Sequence, residues 1–147
     1  MADADGQGKG RGLIFCAAGL SVAVAGIGIA HAAHETRSRL HAVESAGKAF
    51  PQALGSGDGR GACGRMTRAA QARLAADQHR DSCPAADAAL VGPLTPAERH
   101  RTATSYASVF FAKEGSFGHV GVGDNPLQIV ELLLSEIHGE WLVAEVK

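Results

Sequence analysis

The sequence predicts an α+β fold: an N-terminal transmembrane helix, then a domain whose helices come first and whose four-strand antiparallel sheet comes last. Three observations predict it. Residues 13–30, LIFCAAGLSVAVAGIGIA, carry no charge. Residues 35–103 are rich in helix formers and helix-start signals. From residue 105 the apolar period changes from that of a helix to that of a strand.

The apolar run has the length of a bilayer-spanning helix and exceeds the ordinary core of a signal peptide. Lys9 and Arg11 precede it, as the basic region of an export signal does. The organisation expected is a short cytoplasmic N-terminus at 1–12, a transmembrane signal anchor at 13–33 and an extracytoplasmic domain at 34–147. Arg37 and Arg39 compete for the inside position, but long domains translocate largely regardless of charge. The expected location is therefore the cell membrane, single-pass, with the C-terminal domain outside. The alternative is a secreted domain, released by cleavage near Ala32 after the small-x-small pattern Ala30-His31-Ala32. Cys16 lies within the run and reads as a packing residue.

Helical signals follow. Leu40, Val43, Gly47 and Phe50 make one apolar stripe, and Pro51 with GSGDGRG (55–61) is expected to end that helix. A second tract, Ala62 to Asp77, places Cys63, Met66, Ala70 and Leu74 on one side. Its arginines read as a solvated face, because no aromatic residues interleave with them. Pro84 suits the first turn of a short helix through Leu90. Thr95-Pro96-Ala97-Glu98 is a capping box that starts a helix running to about Thr102.

The strands expected are SYASVFF (105–111), FGHVGV (117–122), Leu127–Ile137 and Trp141–Val146. Glu114-Gly115 and His138-Gly139 are the turns, and GDNP (123–126) is a loop. In FGHVGV, Phe117, His119 and Gly121 face one way. In the last strand Leu142, Ala144 and Val146 are expected to alternate with Trp141, Val143 and Glu145.

Composition excludes several classes. With 14 Lys+Arg against 15 Asp+Glu there is no field to hold nucleic acid. The seven histidines are scattered, with no His-x-x-x-His and no Cys-x-x-Cys, so neither a metal site nor a cofactor is expected. Gly118, Gly121 and Gly123 do not fit a phosphate-binding loop. Ser105 and Ser108 lack a base and an orienting acid in their sequence context. On residue type alone, Cys63 and Cys83 suit a disulfide, half a metal site, a redox pair or buried filler.

The segments ALGSGDGRGAC, M-T-x-x-A-Q-A-x-L, SCP, LTPAER and GEWLVAEV, in this order after an apolar start, resemble a group of small exported proteins of the ketosteroid-isomerase-like superfamily, the nuclear-transport-factor-2-like cone fold. The resemblance covers residues 40–147. It implies a curved, cone-like sheet wrapped around a long first helix, with a pocket at the cone's mouth, and a disulfide between Cys63 and Cys83. An isomerase site of that superfamily needs a carboxylate base opposite a tyrosine and a protonated aspartate. Here the candidates are Glu131, Tyr106 and Asp124, and no complete set is visible.

The function expected is a membrane-anchored binding domain without a catalytic site. Its partners would be the membrane through 13–33 and an envelope protein or a small apolar ligand. A divergent isomerase or cyclase, and an assembly module that forms a homodimer through its sheet, are the alternatives. Intact mass of the protein purified from membranes checks the first expectations together. An anchored, disulfide-bonded chain retains residues 1–33, and it gains the mass of the added hydrogens on reduction.

Overall fold

The computed structural model describes residues 14–111 and 117–147, with side chains from His34 onward except those of Ala107 and Phe111. The N-terminus, the side chains of the apolar run and the Glu114-Gly115 turn lie outside the described residues. Among those that are described, no helix is long and apolar enough to cross a membrane. Contacts divide the chain into Met1–Arg37 and Ser38–Lys147.

The architecture is α+β, and the described residues form five helices followed by a four-strand antiparallel meander. Helix α1, Ile14–Ser56, presents Val43, Gly47 and Phe50 as a buried stripe. It does not stop at Pro51, as expected, but continues beyond it. A proline there forfeits one backbone bond. The following turn compensates by burying Ala53 and Leu54. The helix ends instead at Gly57, whose φ of 74° is the left-handed conformation that glycine adopts freely. Gly57 N donates to Leu54 O at 3.0 Å and Asp58 N to Ala53 O at 3.0 Å, which satisfies the last carbonyls as a Schellman motif does.

The tract expected as one helix over 62–77 is two: α2, Gly59–Gly64, and α3, Arg68–Asp77. Asp58 caps the first by accepting from Gly61 N at 2.9 Å, and Thr67 caps the second by accepting from Ala70 N at 3.2 Å. The backbone between them is taken by the sheet. Val143 N donates to Arg65 O at 2.8 Å and Thr67 N to Val143 O at 2.9 Å, so this connector covers the outer edge of the last strand. The expected apolar side survives the break, because Cys63, Met66 and Ala70 are all buried. Helix α4, Cys83–Val91, starts at the Ser82 cap with Pro84 in its first turn. Helix α5, Pro96–Ala103, starts at the complete Thr95–Glu98 capping box.

The strands are β1 (Tyr106–Phe111), β2 (Phe117–Val122), β3 (Glu131–Ile137) and β4 (Glu140–Val146), hydrogen-bonded in that order. The β3–β4 turn has φ of 53° at His138 and 84° at Gly139, the pair of positive values that a two-residue hairpin turn requires. Two strand expectations need correction. Residues 127–130 are not strand, because Asn125 organises them as a loop. Its amide donates to Gly123 O and Ile129 O at 2.8 and 2.7 Å, and its carbonyl accepts from Leu127 N and Ile129 N. The alternation in β4 breaks after Val143, where the register slips at Leu133/Leu134 and Ala144 becomes the extra residue of a bulge. Val146 therefore lies across from buried Leu132.

Gly118, Val120, Leu132, Leu134, Trp141 and Val143 form the helix-facing side of the sheet, and all are buried. Helix α1 approaches this side through a reciprocal fit. A Cβ placed on Gly47 would lie 2.6 Å from Val120 Cγ2, and one placed on Gly118 would lie 2.6 Å from Val43 Cγ1. Trp141 closes the end of the core, with the Arg39 guanidinium 5.6 Å from its ring centroid. Gly47→Ala is expected to destabilise by about 1–3 kcal/mol through overpacking. Adding Val120→Ala should return part of that loss, so urea denaturation of both single variants and the double variant checks the fit as a coupling energy.

Candidate functional site

Strand alternation puts a second set of residues on the side of the sheet away from α1. Residues paired across strands share a face. One row of this open face is Ser108, Gly121 and Glu131, the next is Phe110, His119 and Leu133, and a third is Phe117, Ser135 and Leu142. Phe110, Phe117 and Ile137 are 51%, 44% and 38% exposed, while Leu133 and Leu142 are half-buried. Scattered exposed apolar residues are ordinary, but a contiguous set on one sheet face is not.

A polar cluster interrupts this surface. His119 Nδ1 is hydrogen-bonded to Glu131 Oε1, and Lys147 Nζ donates to Glu131 Oε2 at 3.4 Å. The Phe110 ring stacks on the His119 ring, with centroids 5.0 Å apart and planes 19° from parallel. The strand ends hold the group together, since Lys147 N donates to Glu131 O at 2.9 Å and Glu131 N to Lys147 O at 3.2 Å. The hydrogen bond from His119, and then the charge and hydrogen bond of Lys147, hold the Glu131 carboxyl below the usual glutamate value.

The candidate site residues read from the sequence do not converge. Glu131 stands on the open face, paired as described. Tyr106 packs against the core on the helix-facing side, opposite Val122, with Lys48 Nζ 4.8 Å from its ring centroid. Burial, with the Glu44 charge, raises the Tyr106 hydroxyl further above its usual value. Asp124 lies in the loop after β2 with a side chain 96% exposed, and Arg101 Nη1 is 3.9 Å away. Glu131 and Tyr106 lie on opposite faces of the sheet, so these two do not share one cavity. Among the described residues, no cluster of three or more His, Cys, Asp and Glu is placed to hold a metal ion.

Cys63 and Cys83 are brought together in disulfide geometry, with their Cα atoms 6.0 Å apart and both residues buried. Met66 Sδ packs 3.9 Å from Cys83 Sγ. Sequence reasoning missed two features. His119 and Glu131 are twelve positions apart and become neighbours only through the β2–β3 register. Asp87 is 1% exposed, and among the described residues neither of its carboxylate oxygens has a hydrogen-bond partner. Its spacing of one helical turn from Cys83 was the available signal.

A cavity of about 80 Å³ lies between the helices and the end of β4, lined by Phe50, Leu54, Met66 and Ile129 together with Arg73 and Asp77. Comparison of the chain with protein-family models, with curated proteins and with solved structures finds no match in any of the three. The site therefore rests on its own geometry.

The lowered Glu131 value has a defined sign. Pairing stabilises the folded state above the ordinary value of 4.5, and that contribution is lost as pH falls through the folded value. His119→Ala should move the Glu131 carboxyl midpoint up toward 4.5, as followed by carbon NMR of the side-chain carboxyl. An unmoved midpoint would show that His119 does not hold the carboxylate.

Proposed function

We propose that residues 38–147 form a protein-interaction domain, held on the outer side of a membrane by the apolar segment 13–33, with the open sheet face as its contact surface. The observation that carries this reading is the set Phe110, Phe117, Leu133, Ile137 and Leu142 on one face of the sheet, which no described element covers. The cone-type resemblance supports the same layout, with α1 against the inner side. An outer location fits the Cys63–Cys83 pairing, since disulfides persist in oxidising compartments.

The occupant is a second copy of the chain. Four strands about 4.8 Å apart and about 20 Å long present roughly 400 Å² per partner, half of what a standard interface uses. Such a face makes a weak contact between free molecules. Two chains anchored in one membrane meet at a raised effective concentration, and a second copy always shares that membrane. The face also carries both signs of charge, Glu131 and Glu145 with Lys147, so it meets itself without net repulsion.

A small apolar ligand is the second reading, and the cavity beside Phe50 and Ile129 is what favours it. At about 80 Å³ it holds a few methylene groups, against roughly 300–1,000 Å³ for ordinary small-molecule sites. The isomerase alternative has less support, because Glu131 and Tyr106 lie on opposite faces of the sheet.

The test is photo-crosslinking of the full chain in its membrane, with a photoreactive residue in place of Phe110 or, as a control, of exposed Ala88 on α4. The expected outcome is an adduct of twice the chain's mass from position 110 and none from position 88. No adduct from position 110, or equal yields from both positions, overturns the reading. An adduct of any other mass removes the second copy as the occupant.

A further inference from the structure

Helices α2 and α4 pack antiparallel, and two contacts one turn apart join them. The first is the Cys63–Cys83 disulfide. The second lies four residues before Cys63 and four after Cys83, where Gly59 meets Asp87. A Cβ placed on Gly59 would lie 2.9 Å from Asp87 Oδ2. The Asp87 carboxylate is thus sealed between the helices, 1% exposed and without a hydrogen-bond partner among the described residues. A buried ion in that state is costly unless it is paired or protonated.

Among the described residues, no cation contributes a counter-charge to the Asp87 carboxyl. Asp58, on the turn before α2, acts on Asp87 with a charge of the same sign. Arg60 on α2 and Arg65 after it are exposed. Arg73 and Asp77 on α3 line the same cavity as Leu90 of α4. Arg99 on α5 is committed to the carbonyls of Leu94 and Gly92. Burial first, and the Asp58 charge second, raise the Asp87 carboxyl from 3.8 to about 6.

We infer that α2 and α4 form a latch that opens when two events coincide: reduction of the Cys63–Cys83 disulfide by a dithiol, and loss of the Asp87 proton. In the first step two electrons and two protons pass from the dithiol to the protein. The S–S bond breaks, Cys63 and Cys83 become thiols, and the dithiol becomes a disulfide. In the second step Asp87 releases its proton to water, and its carboxylate is hydrated only if α4 parts from α2. Either event alone leaves the latch closed. The covalent bond holds the helices against an ionised Asp87, and a protonated Asp87 stays in place without the bond. The inference stands on these two helices and is independent of the sheet-face reading.

The sign follows from the raised value. The proton binds more tightly in the closed form, so closure of the reduced chain is favoured below pH 3.8, weakens as pH rises to about 6 and is level above it. The shift corresponds to roughly a hundredfold change in the closed-to-open ratio.

The test is hydrogen exchange of the α2 and α4 amides in the full chain, oxidised and dithiothreitol-reduced, from pH 4 to 8 and corrected for intrinsic rates. In the reduced protein, protection of these amides should fall by roughly fiftyfold between pH 4 and 7. The oxidised protein should change far less, and reduced Asp87→Asn should stay protected throughout. Flat protection in the reduced wild type, or an equal fall in Asp87→Asn, overturns the latch. Asp58→Asn keeps Asp87 and the cap while removing the neighbouring charge, so the midpoint should move down. An unmoved midpoint removes Asp87 as the titrating group, even if Asp87→Asn fails to fold.

Discussion

The reciprocal fit of Val43 against Gly118 and of Val120 against Gly47 sets how closely α1 approaches the sheet. Each valine occupies the space that its partner glycine leaves empty, so the helix and β2 meet at backbone range. Dense packing of this kind gains dispersion contacts that a looser pair would forfeit. It also orients everything else. Once Val120 points at α1, strand alternation sends His119 and Gly121 to the other side, and register carries that choice to Glu131 on β3 and Phe110 on β1. The division of the sheet into a sealed face and an open one follows from one helix–strand contact.

That division explains why Glu131 and Tyr106 do not meet. Tyr106 follows Val109, Val120 and Val122 to the helix-facing side, while Glu131 follows His119. A pair split across a sheet cannot act on one bound molecule. The two sides also differ in chemistry. The sealed side is mainly apolar, and a small cavity lies between it and the helices. The open side mixes phenylalanines and leucines with an ion cluster whose members satisfy one another. Paired charges among apolar side chains are the composition of a contact surface that must also survive exposure to water.

Local chemistry was legible in the sequence wherever a few adjacent residues decide the outcome. The Thr95–Glu98 box, Pro84 in the first turn of α4 and the His138-Gly139 turn all appear where the residues place them. The meander order and the facing of Phe117, His119 and Gly121 were legible for the same reason. Reasoning from neighbours failed where tertiary bonds outbid local signals. Pro51 did not end α1, because Ala53 and Leu54 had a core to enter. The 62–77 tract broke because the edge of β4 needed backbone partners, and Arg65 and Thr67 supplied them. Residues 127–130 read as strand from their apolar side chains, yet one buried Asn125 amide bound their backbone into a loop. The His119–Glu131 pair is a product of register, which no single segment encodes.

The α2–α4 region shows how the chain balances a cost that its sequence conceals. These helices have six and nine residues, too short to hold together by their own backbone bonds. A disulfide with a sequence separation of 20 restricts the unfolded chain enough to stabilise by roughly 3 kcal/mol in the chain-entropy model. Ionised Asp87 works in the other direction. A carboxyl raised from 3.8 to about 6 costs about 3 kcal/mol at neutral pH, at 1.36 kcal/mol per unit. The two magnitudes nearly cancel, and both act on the same pair of helices. With the bond intact, the region tolerates a buried charge that short helices alone would not retain. The staple thus has a specific task within the fold: it keeps α4 seated over a carboxylate that, at neutral pH, favours water.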